Sequence, residues 1–168
     1  KNKPKSVVNI GYGLGIIDGY IKSYNPEKHT IVELHPDAAA LARSNGFTDV
    51  VNSDWRVWLA DCVSKGIRFD SIYFDTYIIN KKLHEWVNFG HEVDSILNDG
   101  GIFCWFNGGA AEKSEVTEMM QQLHPDWKLY SETISIDDIV KRHKENGNGE
   151  PDWDSIRKQD YKLNWFVK

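Results

Sequence analysis

Short apolar runs rich in β-branched residues alternate with longer amphipathic stretches along most of this 168-residue chain. The runs at residues 6–10, 29–34, 49–52, 69–75, 101–107, 127–134 and 161–167 predict strands, and the stretches at 15–23, 36–45, 54–65, 82–98 and 112–123 predict helices. A strand, a helix and a second parallel strand connect through a right-handed crossover. The alternation therefore predicts an α/β fold with a doubly wound, seven-stranded, mostly parallel sheet that carries helices on both faces.

The length fits one domain, since domains commonly have about 100–200 residues, and we expect residues 1–168 to form it. A composition of 40% apolar and 27% charged residues is typical of a soluble globular protein. No apolar stretch approaches the roughly 18 residues that a membrane span requires, and no signal peptide is visible before the first predicted strand. We therefore expect a cytoplasmic protein that has no membrane partner.

The formal net charge of −5 and the lack of a Lys/Arg cluster argue against a nucleic-acid partner, because such partners are bound through phosphate contacts. A small or cationic substrate fits this charge better, and a homo-oligomer is compatible with it. Cys62 and Cys104 lack Cys-x-x-Cys spacing, so we expect two buried free thiols. The histidines show no metal-ligand spacing, so we predict no metal site.

A glycine-rich turn follows the first predicted strand, where residues 11–15 read GYGLG. Glycines allow the backbone to turn sharply there and to approach a ligand closely. A dinucleotide-binding turn would carry its third glycine at position 16, but this chain has Ile16, and Gly15 comes one residue early. Because S-adenosylmethionine (SAM) has no phosphate to place at a helix N-terminus, this spacing favours SAM over a nicotinamide cofactor. A turn that serves only chain reversal is the alternative.

Acidic residues lie near the end of the second predicted strand and just after the third. Glu33 stands where a carboxylate can accept hydrogen bonds from both hydroxyls of a ribose. The alternative role, a cap for the helix near Pro36, suits Asp37 better. Asp54 and Trp55 could hold the edge and the face of an adenine. Equally, Asp54 could be only the N-cap of the next helix, with Trp55 in the core.

The fourth predicted strand ends at Asp75, opposite the place where the methyl group of a bound SAM would point. Methyl transfer is an in-line displacement, so the nucleophile must be aligned and must carry a free lone pair. A guanidinium group must lose a proton first, and a carboxylate can both pair with it and accept that proton. Asp75 is therefore our catalytic candidate, the alternative being a structural carboxylate that ties down the next loop. Asp70, at the strand's entrance, is expected to be solvated and not catalytic.

Three segments together resemble a known family: residues 9–18 (NIGYGLGIID), 31–36 (IVELHP) and 74–77 (FDTY). They resemble guanidinoacetate N-methyltransferase and the related fungal arginine Nδ-methyltransferase, which are class I SAM-dependent enzymes with a Rossmann-like fold. Residues 97–107 resemble the helix end and fifth strand of the same group. The resemblance implies SAM as cofactor and S-adenosylhomocysteine (SAH) as product. The cofactor-binding residues expected on these grounds are Gly11, Tyr12, Gly13, Gly15, Glu33, Leu34, Asp54 and Trp55.

The same resemblance implies that Asp75 binds and deprotonates the guanidino or amine group of a small molecule or peptide, with Tyr77 and Asn107 lining the substrate pocket. Members of the group carry an N-terminal region that folds over the pocket, and none precedes Lys1. We therefore expect a domain without this lid, either trimmed or absent from the gene. Two alternatives stay open: a SAM methyltransferase for a different small acceptor, and an inactive SAM-fold interaction module.

Overall fold

The computed structural model describes residues 3–76, 83–106, 112–135 and 161–168. Strands β1 to β7 span Ser6–Ile10, Lys28–Glu33, Asp49–Asn52, Phe69–Phe74, Leu97–Trp105, Lys128–Ile134 and Tyr161–Val167. Helices α1 to α5 span Ile16–Ser23, Pro36–Ser44, Trp55–Lys65, Leu83–Ile96 and Glu112–Leu123. None of the helices formed by these residues combines the length and the apolar character needed to span a bilayer.

The described strands form one seven-stranded sheet in the order β3-β2-β1-β4-β5-β7-β6. Strands β1 to β5 pair in parallel, and β7 runs antiparallel to both β5 and β6. The chain starts at β1 in the middle of the sheet, builds outward to β3, and then returns to the other side of β1 with β4. The predicted doubly wound, mostly parallel sheet is thus confirmed, and its switch point lies between β1 and β4, where such sheets bind ligands.

Apolar side chains are buried on both faces of the sheet, because neighbouring strand residues point to opposite faces. Val32 joins the larger core cluster, in which Leu59 of α3 and Phe89 of α4 are fully buried. Its neighbour Ile31 joins a second cluster on the opposite face, with Ala42 of α2. Helices therefore cover both faces, as the alternation along the sequence predicts.

The start of β5 differs from the prediction. The sequence Asn98-Asp99-Gly100-Gly101 is typical of a turn, so the strand was expected to begin at 101, whereas it begins at Leu97. The chain end makes the difference: the Gly100 N–H donates to the Lys168 carbonyl at 3.0 Å, and the Lys168 N–H donates to the Gly101 carbonyl at 3.1 Å. Pairing with a distant segment thus overrides the local turn preference.

Asp70 needs a correction, since it is more than a solvated residue. Its Oδ2 accepts hydrogen bonds from the backbone N–H groups of Lys5 at 2.9 Å and Ser6 at 3.0 Å, and its Oδ1 accepts one from the Asn98 amide at 2.9 Å. Asp70 thus ties the entrance of β4 to the entrance of β1 and to β5. It lies at the edge of the sheet opposite the carboxyl ends of the parallel strands.

Both cysteines are free thiols, as expected. Cys62 is buried in the larger core cluster, where burial and the nearby Asp61 raise the pKa of its thiol. The Cys104 residue is half-buried, and its Sγ lies 3.8 Å from the carbonyl oxygen of Ile72. Burial raises the pKa of this thiol to about 12. Both thiols therefore stay protonated at neutral pH.

Candidate functional site

The carboxyl ends of β1, β2 and β4 meet at one edge of the sheet. Ile10, the last residue of β1, pairs with Val32 on one side and Phe74 on the other. The following residues continue these contacts, since the Gly11 N–H donates to the Val32 carbonyl at 2.8 Å and the Asp75 N–H donates to the Ile10 carbonyl at 2.7 Å. The fold thus brings the glycine turn, Glu33 and Asp75 together at the switch point, which we call the switch-point edge.

The three glycines of the turn all have positive φ, with values of 98° at Gly11, 54° at Gly13 and 76° at Gly15. A Cβ on Gly11 would overlap the Asp75 carbonyl oxygen, and one on Gly15 would overlap the Tyr12 ring. Around Gly13, no atom of the described residues lies within 4 Å of the position that a Cβ would take. Gly11 and Gly15 are therefore required by packing within the protein, whereas Gly13 borders open space.

Tyr12 contributes its backbone, and not its ring, to the switch-point edge. The side chain is 3% exposed and packs edge-on against Phe47, with 5.8 Å between ring centroids. Its hydroxyl accepts a hydrogen bond from the Asn45 amide at 2.9 Å. The ring thus anchors the turn to the end of α2, and any contact of Tyr12 with a ligand comes from its main chain.

Glu33 is held by backbone N–H groups on both of its carboxylate oxygens. Oε2 accepts from Tyr12 at 2.8 Å and from Gly13 at 3.4 Å, while Oε1 accepts from His35 at 2.7 Å. The Asn52 amide donates to the Glu33 carbonyl at 2.8 Å and so fixes the end of β2. Because a carboxylate offers about four lone-pair positions, Glu33 retains capacity for a further hydroxyl donor.

Large apolar side chains stand exposed on the segments that carry Gly13 and Glu33. Leu14 is 81% exposed and Ile16 66% on the turn and the start of α1, and Leu34 is 66% exposed next to Glu33. Single exposed apolar residues are common on protein surfaces, but these three share one edge with Glu33. The switch-point edge therefore combines a fixed carboxylate with apolar surface.

The Asp75 carboxyl is half-buried just beyond the last residue of β4. Burial, followed by the negative charge of Asp18, raises its pKa from the usual 3.8 to about 6. Such a carboxyl is mostly ionised at neutral pH, yet it is a stronger base than an exposed aspartate. Position and basicity together make Asp75 suited to hold a cation and to accept a proton.

At Asp54 and Trp55 the structure shows the structural roles. Asp54 Oδ1 accepts from the Arg56 N–H at 2.8 Å as the N-cap of α3, and it also pairs with the Arg56 guanidinium at 3.2 Å. Trp55 packs edge-on against Phe74 and Phe89, with ring centroids 5.5 and 5.3 Å apart. A contact of either residue with adenine stays a prediction.

The cap of α2 is His35, and not Asp37 as expected, because His35 Nδ1 accepts the Asp37 N–H at 3.3 Å. Tyr77 and Asn107, the two predicted pocket residues, lie outside the described residues. Within the described ranges, no group of three or more His, Cys, Asp or Glu side chains is placed to hold a metal ion.

A buried polar chain behind the glycine turn was not predicted from the sequence. The Asn9 amide donates to the Gly11 carbonyl and to Asp18 Oδ2, both at 2.8 Å. Asp18 Oδ1 and His29 Nε2 share a further hydrogen bond of 2.8 Å. An acid that directly follows Ile16-Ile17 on a helix packed against the sheet is the signal that could have revealed this chain, since buried acids need partners.

Comparison with known proteins gives relatives in sequence, although no family model matches the chain. The chain is 31% identical over 160 residues to a protein named protein arginine N-methyltransferase 2 from Yarrowia lipolytica, covering 91% of this chain and 33% of that protein. The chain thus spans about a third of the length of the curated relatives it matches.

Solved structures agree on the fold. One from Streptococcus mutans, assigned to the SAM-dependent methyltransferases, matches with a TM-score of 0.67 at 15% identity, covering 98% of this chain and 44% of that one. Another, assigned to the methyltransferases and complexed with SAH, matches with a TM-score of 0.66 at 13% identity, covering 97% and 45%. The predicted Rossmann-like class I fold is thus confirmed, as is the resemblance to arginine N-methyltransferases. With a relative at 31% identity over 91% of its length, the chain belongs to the class I SAM-dependent methyltransferases.

Proposed function

We propose that this chain, a class I methyltransferase fold similar in sequence to arginine N-methyltransferases, binds SAM at the switch-point edge and methylates a guanidino or other amine nitrogen of a small molecule or peptide. One observation carries the proposal: the open side of Gly13, the backbone-held Glu33 carboxylate and the half-buried Asp75 meet at the carboxyl ends of β1, β2 and β4. This is the place at which doubly wound sheets bind their ligands.

The residues present at the switch-point edge fit SAM. Glu33 offers lone pairs to ribose hydroxyls, the open space at Gly13 permits close approach of a ligand, and exposed Leu14 and Leu34 suit an apolar surface. The ionisable groups Glu33 and Asp75 are both acidic, which favours a cation and opposes the pyrophosphate of a dinucleotide. When bound, SAM supplies an electrophilic methyl group on a sulfonium.

Asp75 would bind and activate the acceptor. Its carboxylate can pair with a guanidinium through two parallel hydrogen bonds, which also orients the planar group. With a pKa raised to about 6, it stays ionised at neutral pH and accepts a proton more readily than an exposed aspartate does. The hydrogen bond from its N–H to the Ile10 carbonyl at 2.7 Å fixes the backbone that carries it.

A cationic acceptor agrees with the charge of the chain. The formal net charge is −5, and a guanidinium or ammonium group complements the acidic residues at the switch-point edge. The name of the relatives, protein arginine N-methyltransferase 2, supports a guanidino nitrogen as the first acceptor to test.

The test is a methyl-transfer screen with isotopically labelled SAM against guanidinoacetate, free arginine, an arginine-containing peptide and a simple amine. We expect label in a guanidino compound, and a loss of at least about 100-fold with Asp75→Asn, because a general base commonly contributes about 10²–10⁴-fold. The matched control is Asp99→Asn, which changes an exposed acid near the start of β5 and should leave the rate unchanged.

Each other result replaces a stated part of the proposal. Label found only in the simple amine would show that the acceptor is an amine nitrogen and not a guanidino nitrogen. Full activity of Asp75→Asn would remove Asp75 from the reaction. SAM binding without transfer to any acceptor would favour the inactive interaction module over an enzyme.

A further inference from the structure

We infer that Asp18 is a positioning residue of the proposed methyl-transfer site, acting through Asn9 on the glycine turn and through its buried charge on Asp75. The catalytic part of this inference rests on the proposed function, whereas the contacts of Asp18 and Asn9 exist without a bound ligand. Asp18 lies in the first turn of α1, directly after the glycine turn, and its side chain is fully buried.

Asn9 links Asp18 to the glycine turn. Its Nδ2 donates to both Asp18 Oδ2 and the Gly11 carbonyl at 2.8 Å, so these two acceptors dictate how the amide is turned. The amide oxygen, Oδ1, is left buried with no hydrogen-bond partner among the described residues. Since a buried unpaired acceptor costs stability, the amide is oriented for its two donor bonds at the expense of its own oxygen.

The Gly11 peptide carries this link on to Asp75. A Cβ on Gly11 would overlap the Asp75 carbonyl oxygen and lie 2.9 Å from the carbonyl carbon, so the two backbones are in contact. On one side Asn9 holds the Gly11 carbonyl, and on the other side Gly11 abuts the residue that bears the candidate base. The chain from Asp18 through Asn9 and Gly11 therefore sets the distance between the cofactor turn and Asp75.

The charge of Asp18 provides a second connection. A buried carboxylate interacts strongly with other charges, because little solvent screens it. After burial, Asp18 is the second cause of the raised pKa of Asp75. Among the described residues, Asn9 from β1 and His29 from β2 contact the Asp18 carboxylate, and His29 also packs edge-on against Phe47. Asp18 thus helps to keep Asp75 basic.

The test follows the Asp75 carboxyl directly, by NMR titration of the ¹³C-labelled full 168-residue chain in the absence of any ligand. The wild type should titrate near pH 6. Asp18→Asn preserves the shape of the side chain but removes its charge, so the midpoint should fall, and Asp99→Asn should leave it in place. A purely structural role of Asp18 would not lower the midpoint of the Asp75 titration. An unchanged midpoint in Asp18→Asn would therefore overturn the charge connection.

A second variant tests the hydrogen-bonded connection from Asp18 through Asn9 to Gly11. Asn9→Leu keeps the branched shape of the side chain and the Asp18 charge but removes both donor bonds. We expect faster hydrogen exchange of the Tyr12 N–H, which donates to Glu33, and a larger dissociation constant for SAM. Exchange at the wild-type rate would overturn this connection, and this readout does not require SAM to bind.

Failure of the proposed function is distinguishable from failure of this inference. A wild-type chain that binds no SAM would refute the former, while the Asp75 titration still decides the latter. If Asp18→Asn does not fold, the wild-type Asp18 carboxyl resonance should show an inflection at the Asp75 midpoint that disappears in Asp75→Asn. Absence of that inflection in the wild type would overturn the charge connection as well.

Discussion

Replacing Gly11 by alanine should be among the most damaging single-methyl changes in the chain, because two separate costs fall on one position. The residue has a φ of 98°, and the new Cβ would overlap the Asp75 carbonyl oxygen and lie 2.9 Å from its carbon. Carbon atoms normally approach to about 3.5–4.0 Å, so the two backbones must move apart by roughly half an ångström or more.

The positive φ costs an alanine about 1–2 kcal/mol, and forcing atoms into a packed site costs about 1–3 kcal/mol. Together Gly11→Ala should lower the free energy of unfolding by about 2–5 kcal/mol, a large share of the roughly 5–15 kcal/mol that stabilises a domain. Gly66→Ala is the matched control, because Gly66 has a φ of 65° but no described atom within 4 Å of its Cβ position.

The assay is urea denaturation of both variants beside the wild type. Gly66→Ala should show the backbone cost alone, so the two variants should differ by about 1–3 kcal/mol. Equal destabilisation of the two would refute the close contact between Gly11 and Asp75, and with it the step that links the glycine turn to the candidate base.

Further predictions concern the turn, helix α1 and the ionisation of Asp75. Gly13→Ala should cost as much stability as Gly66→Ala, since both positions have positive φ and open surroundings. Of these two variants, only Gly13→Ala should weaken SAM binding, and equal SAM affinity of both would contradict a ligand beside Gly13. Gly19→Ala, in α1 with no described atom within 4 Å of its Cβ position, should stabilise the protein by about 0.5–1 kcal/mol in the same denaturation assay. Because the pKa of Asp75 is raised from 3.8 to about 6, its protonated form favours folding below pH 4, and that contribution is lost as pH rises through about 6. The stability of Asp75→Asn relative to wild type should therefore rise between about pH 4 and 6 and then level off; a flat difference would contradict the raised pKa.

The fold could be predicted from the sequence because the signals for its helices and strands are local. The strand bounds at Ser6–Ile10 and Asp49–Asn52 and the helix Glu112–Leu123 match their predictions, since period and turn residues decide such elements. Glu33 and Asp75 could be selected as site candidates because both lie at the carboxyl ends of predicted strands, and parallel strands place these ends together.

What the sequence could not provide depends on contacts between distant residues. Tyr12 stands within the glycine turn, yet its ring turns away to meet Phe47 and Asn45, which only the packing of α2 decides. His29 showed no metal-ligand spacing, but the sheet places it against Asp18 of α1. These roles follow from tertiary packing, and no local pattern encodes them.

The most direct test of a SAM site at the switch-point edge is calorimetric titration of SAM into the wild type and Glu33→Ala, with Glu27→Ala, an exposed glutamate paired with Lys5, as control. Hydrogen bonds to a charged group are worth about 1.5–3 kcal/mol, so loss of the Glu33 carboxylate should weaken binding by about 10-fold to 100-fold. Glu27→Ala should bind SAM like the wild type. An unchanged dissociation constant in folded Glu33→Ala, or no binding by the wild type, would contradict the account.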